Sequence, residues 1–205
     1  MGMARMVNYI LPPGLVEIPF KDGGHWLTYQ GHYLTSVGKI LNTIWPMPEI
    51  APFYLERGKF VHSATVLIDA GNLDWDALDG RLLPYCRAYQ NFLEMSHPII
   101  EASELIVVAN DFSYGGRLDR VFRLPGRERL LVTDIKTGSG KEPRYKLQLA
   151  AYALLLGGEH VADYDLALLN LEKNGQPRLT VLPDPGSKVA EWRGILSNYL
   201  TGGNA

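Results

Sequence analysis

The spacing of apolar residues changes character near Pro98, where a run of helical patterns gives way to strand-like ones. Ahead of that point, Gly31 to Leu41 reads as a strand or loop that enters a helix at Ser36. A serine there can cap the unpaired amides of the first turn, and Pro46 and Pro48 end the helix. Pro52 to Ile68 carries Tyr54, Leu55, Val61, Thr65 and Ile68 near helical spacing, and Gly58 within it signals that something approaches closely there. Asp74 to Glu94 predicts a third helix with Leu78, Leu82, Tyr85, Tyr89 and Phe92 on one stripe and a kink or break at Pro84. Residues 1–30, rich in Gly and Pro, read as irregular, with a short hairpin around Lys21–Gly24.

After Pro98 the segments Ile99–Phe112, Gly115–Leu124 and Arg129–Thr137 all have strand character, and Pro125-Gly126 turns the second into the third. Pro143–Leu156 predicts a helix, with Leu147, Ala150, Ala151 and Leu154 as its apolar stripe. Tyr164–Leu171 and Arg178–Leu182 form a hairpin signal around Asn174-Gly175, and Ser187 to Leu200 closes the chain as an amphipathic helix. This order predicts a mixed α/β (α+β) domain with a central sheet flanked by helices. A length of 205 residues fits a single domain, and no repeat or low-complexity tract divides it.

Composition narrows the function classes. The single cysteine, Cys86, excludes an intramolecular disulfide and any multi-cysteine zinc or iron–sulphur centre. No apolar run approaches the roughly 18 residues of a membrane span. Met1–Ile10 lacks a long apolar stretch and a small-residue cleavage site, so a cytoplasmic protein with no membrane partner is expected. The net charge of −2 argues against a passive nucleic-acid coat. Its distribution is uneven: residues 112–150 hold nine basic side chains against four acidic ones, enough to hold phosphates along one stretch. Arg117, Arg120, Lys141, Arg144 and Lys146 are the candidates for contact with nucleic acid, and Trp26, Tyr29, Tyr33 and Trp45 could stack bases.

The chemistry converges on three pieces. Asp119 lies on one predicted strand and Asp134 and Lys136 on the next, where residues two apart share a face. Gln148 and Tyr152, four apart on the following helix, also share a face. Two carboxylates aimed at one spot repel unless a divalent cation lies between them, and hard oxygen ligands suit Mg²⁺ or Mn²⁺. Such an ion lowers the pKa of a bound water and polarises a phosphoryl oxygen. Lys136 beside it can hold the attacking water and offset phosphate charge, and the Ile135 carbonyl could add one more ligand.

Gly116-x-x-Asp119, Asp134-x-Lys136 and Gln148-x-x-x-Tyr152, taken in this order, resemble the RecB-type branch of the PD-(D/E)XK nuclease superfamily. Arg57-Gly58-Lys59-Phe60-Val61-His62 is similar to the RG-x-x-x-H helix motif of that branch. Tyr33 to Leu41 is a looser match to the SVT-x-IL segment of phage-type members, with Gly38 and Lys39 replacing the threonine and its successor. The resemblance implies a restriction-endonuclease-like core over about residues 33–156 and divalent-metal-dependent cleavage of DNA, commonly as an exonuclease on single strands or duplex ends. It implies His62 as a metal ligand beside Asp119, Asp134 and the Ile135 carbonyl. Glu104 stands where many members carry a strand glutamate and could serve a second metal, with Glu101 competing for that role. Gln148 and Tyr152 would position the lysine or the substrate strand.

The iron–sulphur subgroup of that branch needs four cysteines and is excluded by a chain with one. No helicase segment is present, so unwinding would fall to a helicase or recombination partner. Three other readings stay open: a structure-selective endonuclease on the same site, an idle module binding nucleic acid or protein, and a hydrolase of another phosphate ester. The last lacks any glycine-rich phosphate loop to support it.

Overall fold

The computed structural model describes residues 12–19, 25–46, 49–111, 113–138 and 143–202. Strands β1 (Leu15–Pro19), β2 (His25–Tyr29) and β3 (His32–Tyr33) form a small antiparallel sheet in order β1-β2-β3. Over Leu15–Pro19 and His25–Tyr29 this corrects the expectation that residues 1–30 are irregular. Leu15 and Leu27 point inward to pack with Leu34, Ile106 and Val108, while Val16 and Ile18 stay exposed. Apolar residues on both faces hide the period-two alternation that marks a half-buried strand. Gln30 and Gly31, both with positive φ (49° and 81°), make the tight turn from β2 to β3. The hairpin expected around Lys21–Gly24 lies outside the described residues.

Short β4 (Thr35–Ser36) leads into α1 (Val37–Ile44), where the Ser36 hydroxyl accepts from the Lys39 amide at 3.1 Å. Pro46 follows its end, and Pro48 lies outside the described residues. Helix α2 covers Pro52–Asp69. Helix α3 covers Leu83–Ser96, so the expected start at Asp74 is too early and Pro84 opens the helix instead of kinking it. Asp74 accepts the amides of Asp76 and Ala77, and Asp79 accepts that of Arg81, giving this segment local partners in place of helical ones. A proline without an amide proton is best placed in a first turn.

The main sheet has six strands, including β5 (Ile99–Val108), β6 (Tyr114–Arg123), β7 (Leu130–Lys136), β8 (Tyr164–Leu171) and β9 (Pro177–Val181). Its order is β4-β6-β7-β8-β9, with β5 paired antiparallel to β6. Strands β7 and β8 run parallel from Leu130↔Tyr164 to Lys136↔Asn170. Helices α1, α4 (Pro143–Gly157) and α5 (Pro185–Leu200) contribute buried residues to one core with Val132, Leu166 and Leu168. Helices α2 and α3 form a second core with Leu131, Ile135, Ala167 and Leu169. Odd and even positions of β7 therefore serve opposite layers, and the fold is the expected mixed α/β (α+β) domain. Among the described residues, no helix is long and apolar enough to cross a membrane.

One irregularity matters for chemistry. Strands β6 and β7 pair at only Arg120↔Thr133, Val121↔Val132 and Phe122↔Leu131. Beyond these pairs the Ile135 amide donates to Asp119 Oδ2 at 2.7 Å, a side chain standing where a ladder carbonyl would otherwise be. Asp119 and Asp134 occupy the mouth of this split.

Candidate active site

The split opens into a cleft of about 1110 Å³ lined by residues from α2, β5, β6, β7 and α4. Asp134 and Lys136, two apart on β7, turn to the same side, and the Lys136 ammonium lies 2.5 Å from Asp134 Oδ2. The ammonium is thus the counter-charge of a carboxylate that is itself almost wholly buried. Burial pushes the Asp134 carboxyl up to about 6, although the Lys136 charge pulls the other way. Burial works against the Lys136 charge too, but Asp134 and Asp119 outweigh it and hold the ammonium above its ordinary range.

Asp119 divides its two oxygens. Oδ2 holds the Ile135 amide, and Oδ1 lies 3.6 Å from His62 Nδ1. His62 reaches in from α2 with Nε2 3.1 Å from the Ile135 carbonyl, which can accept from it. With the proton on Nε2, the Nδ1 lone pair faces Asp119 and Glu104, whose Oε1 is 4.0 Å away. Burial lowers the His62 pKa, but the two carboxylates outweigh it, so the imidazole stands above its ordinary value. Glu104 adopts φ 49°, a left-handed conformation costly for a non-glycine residue in a strand.

One ligand atom from each of His62, Glu104 and Asp119 lies within 4.8 Å of the others. An imidazole nitrogen and two carboxylate oxygens of this spacing fit a hard divalent cation. Asp134 stands outside that group, engaged by Lys136, and the Ile135 carbonyl faces His62. Glu101, the alternative to Glu104, sits at the register shift of β5 and pairs with Arg123 at 2.6 Å.

Arg57 is a residue whose role sequence reasoning missed, although it heads the motif that ends in His62. Its guanidinium lies between the Tyr54 and Tyr85 rings, 5.0 and 4.8 Å from their centroids. It donates to the Thr137 carbonyl at 2.9 Å, fastening α2 to the end of β7. The motif's one signal was position: Arg57 precedes His62 by just over a helical turn.

Gln148 lines the cleft and Tyr152 does not. Tyr152 was expected to face the site, but it is buried against β6, and its hydroxyl accepts from Gln148 Nε2 at 3.4 Å. The ring explains the glycine of the Gly116-x-x-Asp119 motif, since a Cβ on Gly116 would stand 2.8 Å from Tyr152 Cε1. Gly116→Ala is therefore expected to cost about 1–3 kcal/mol of stability. It should also shift Gln148. Chemical denaturation of the two proteins checks the first effect.

The basic residues expected to touch nucleic acid divide sharply. Arg120 is fully buried, so that expectation is corrected: its charge is consumed inside the protein. Arg144 is also buried and donates to Asn42 Oδ1 at 2.9 Å and the Trp45 carbonyl at 3.2 Å, tying α4 to α1 while bordering the cleft. Arg117 borders the cleft but pairs with Glu17 of β1. Lys146 is half-buried on α4 away from the cleft lining, and Lys141 and the Trp26 side chain lie outside the described residues. Tyr29 packs under the small sheet, Trp45 packs against the main core, and exposed Tyr33 is away from the cleft. Chain-local charge counting cannot tell a solvated cation from a buried one.

A family model described as the PD-(D/E)XK nuclease superfamily matches residues 64–202, beginning just after His62. Among solved structures the chain is similar to an alkaline exonuclease from Laribacter hongkongensis, with 11% identity, 82% of this chain and 87% of that one covered, and a TM-score of 0.45. It is also similar to that exonuclease in complex with dAMP, with 13% identity, the same coverage of 82% and 87%, and a TM-score of 0.43. No curated protein sequence matches the chain.

Proposed function

Because this chain belongs to the PD-(D/E)XK nuclease superfamily, we propose that it is a divalent-metal-dependent deoxyribonuclease, an exonuclease acting on DNA ends or single strands. The observation that carries this reading is the His62–Glu104–Asp119 cluster beside the Asp134–Lys136 pair. Mg²⁺ or Mn²⁺ bound by that cluster would supply a water of lowered pKa and a charge to polarise the phosphate. Lys136, held by Asp134 and by the Tyr145 ring 4.7 Å away, presents its ammonium to the attacking water or the phosphate oxygens. Gln148 offers an amide to the same space, and Lys59 adds positive charge along the wall formed by α2. The apolar Leu55 and Val66 on that wall, with Ile50 just ahead of the helix, suit bases or sugars more than a second phosphate.

The test is cleavage of end-labelled single-stranded, duplex and covalently closed circular DNA with Mg²⁺ or Mn²⁺, with EDTA as control. Loss of linear DNA with circles spared is the expected result. Cutting of circles would replace the exonuclease by an endonuclease, and a folded protein that cuts nothing would overturn the reading.

Gly58 gives a second prediction. It sits within α2 at the edge of the cleft, and a Cβ there would meet nothing within 4 Å among the described residues beyond its own helical neighbours. Glycine inside a helix costs about 1 kcal/mol relative to alanine, and no described neighbour requires it here. The space above it is left for the substrate backbone. Gly58→Ala is expected to raise the melting temperature and weaken binding of single-stranded DNA measured in Ca²⁺ by fluorescence anisotropy. Unchanged DNA binding would remove Gly58 from the substrate path.

A further inference from the structure

Arg120 is a fully buried cation that the chemistry above leaves unused, and its contacts converge on the candidate cation site. Its Nη1 donates to Glu104 Oε1 at 3.0 Å and to the Asp119 carbonyl at 2.6 Å. Its Nη2 donates to Thr65 Oγ1 at 3.0 Å, and that hydroxyl donates to the His62 carbonyl at 2.8 Å. The remaining edge, Nε, donates to Asp69 Oδ2 at 2.8 Å, and Tyr89 donates its hydroxyl to Asp69 Oδ1 at 2.7 Å. One planar fork thus reaches all three members of the cluster: Glu104 through its side chain, Asp119 through its backbone, and His62 through Thr65. These members come from different elements, β5, β6 and α2.

We propose that Arg120 is the positioning residue of the cation site, a buried guanidinium that sets His62, Glu104 and Asp119 at ligating distance from one another. The inference rests on the cation-dependent reading given above. Its physical basis is the rigidity of the fork, whose five N–H groups leave in fixed directions that an ammonium cannot reproduce. Asp69 and Tyr89 hold the far side of the fork, so its near side is presented without freedom to rotate. The arrangement also accounts for the left-handed backbone at Glu104. The strained φ of 49° persists where the carboxylate is gripped from outside its own strand. Groups behind the ligands of a metal site are known to govern affinity as strongly as this.

The experiment is Mn²⁺ titration by calorimetry of the full chain and of Arg120→Lys, Asp69→Asn, Glu104→Gln, Asp119→Asn and the Arg120→Lys/Glu104→Gln double variant. Circular dichroism and thermal unfolding accompany each. Arg120→Lys is expected to weaken Mn²⁺ binding by about 10–100-fold, and Asp69→Asn, which touches no ligand, to weaken it less. Placed on Glu104→Gln, the Arg120 change should cost much less than it does alone, because part of its effect runs through that carboxylate. A protein that merely loses stability would show additive effects. Mn²⁺ affinity unchanged in both folded Arg120→Lys and Asp69→Asn would overturn the proposal, and Asp69→Asn alone decides if Arg120→Lys fails to fold. Equal Mn²⁺ binding by the unmodified chain and Asp119→Asn would instead overturn the cation site itself, and the proposal with it.

Discussion

Replacing Lys136 by methionine is expected to slow DNA cleavage by roughly 10³-fold while Mn²⁺ binding persists. The lysine stands beside the candidate ligands and is not one of them: its ammonium contacts Asp134 at 2.5 Å and the Tyr145 ring at 4.7 Å. Methionine keeps the unbranched stem that runs through the wall of the cleft and removes the charge alone. The loss therefore falls on the step in which charge builds on the phosphate. A second consequence separates this from a folding defect. Without a cation, Asp134 loses its counter-charge and, being buried, takes up a proton instead; removing one partner of a buried pair costs about 3–5 kcal/mol when no such escape exists. Adding Mn²⁺ returns a positive charge to the neighbourhood, so Lys136→Met should recover thermal stability with Mn²⁺ while remaining inactive. Activity close to that of the unmodified chain would remove Lys136 from the chemistry.

Asp119→Asn is expected to abolish detectable cleavage and to weaken Mn²⁺ binding by at least about 100-fold, with the fold intact. Asparagine can still accept the Ile135 amide through its carbonyl oxygen, so the split between β6 and β7 survives. What disappears is the negative charge that faces His62 Nδ1 at 3.6 Å. Asp119 is among the groups that raise the His62 pKa, so the histidine should also titrate lower in this variant. Proton NMR of the imidazole, compared with calorimetric Mn²⁺ titration, checks both effects on one sample. Full metal affinity in Asp119→Asn would mean that the cation is held elsewhere.

Much of this site is legible along the chain because strand and helix periods translate directly into shared faces. The two-residue spacing of Asp134 and Lys136 and the four-residue spacing of Gln148 and Tyr152 place each pair on one side of its element. The elements after Pro98 were legible for the same reason. Two kinds of information were not. Depth is one: Arg120 and Arg117 look alike in a count of charges, yet one is sealed beneath the sheet and the other borders the cleft. Competition is the other: Asp74 and Asp79 draw nearby amides into turns and delay α3 until Leu83, an outcome that an apolar stripe from Leu78 to Phe92 does not reveal. Tyr152 combines both, since its spacing from Gln148 is correct while its ring is spent on Gly116.

The brief pairing of β6 with β7 has a mechanical meaning. Three matched residue pairs join a half-sheet of β4, β5 and β6 to another of β7, β8 and β9, and the candidate site straddles that joint. Asp119 and Glu104 ride on one half, Asp134 and Lys136 on the other. A tilt of a few degrees between the halves would change the gap between these two pairs of side chains. Both cores bridge the joint, Val121 with Val132 on one face and Phe122 with Leu131 on the other, so substitutions in either core should alter the spacing of the site from a distance.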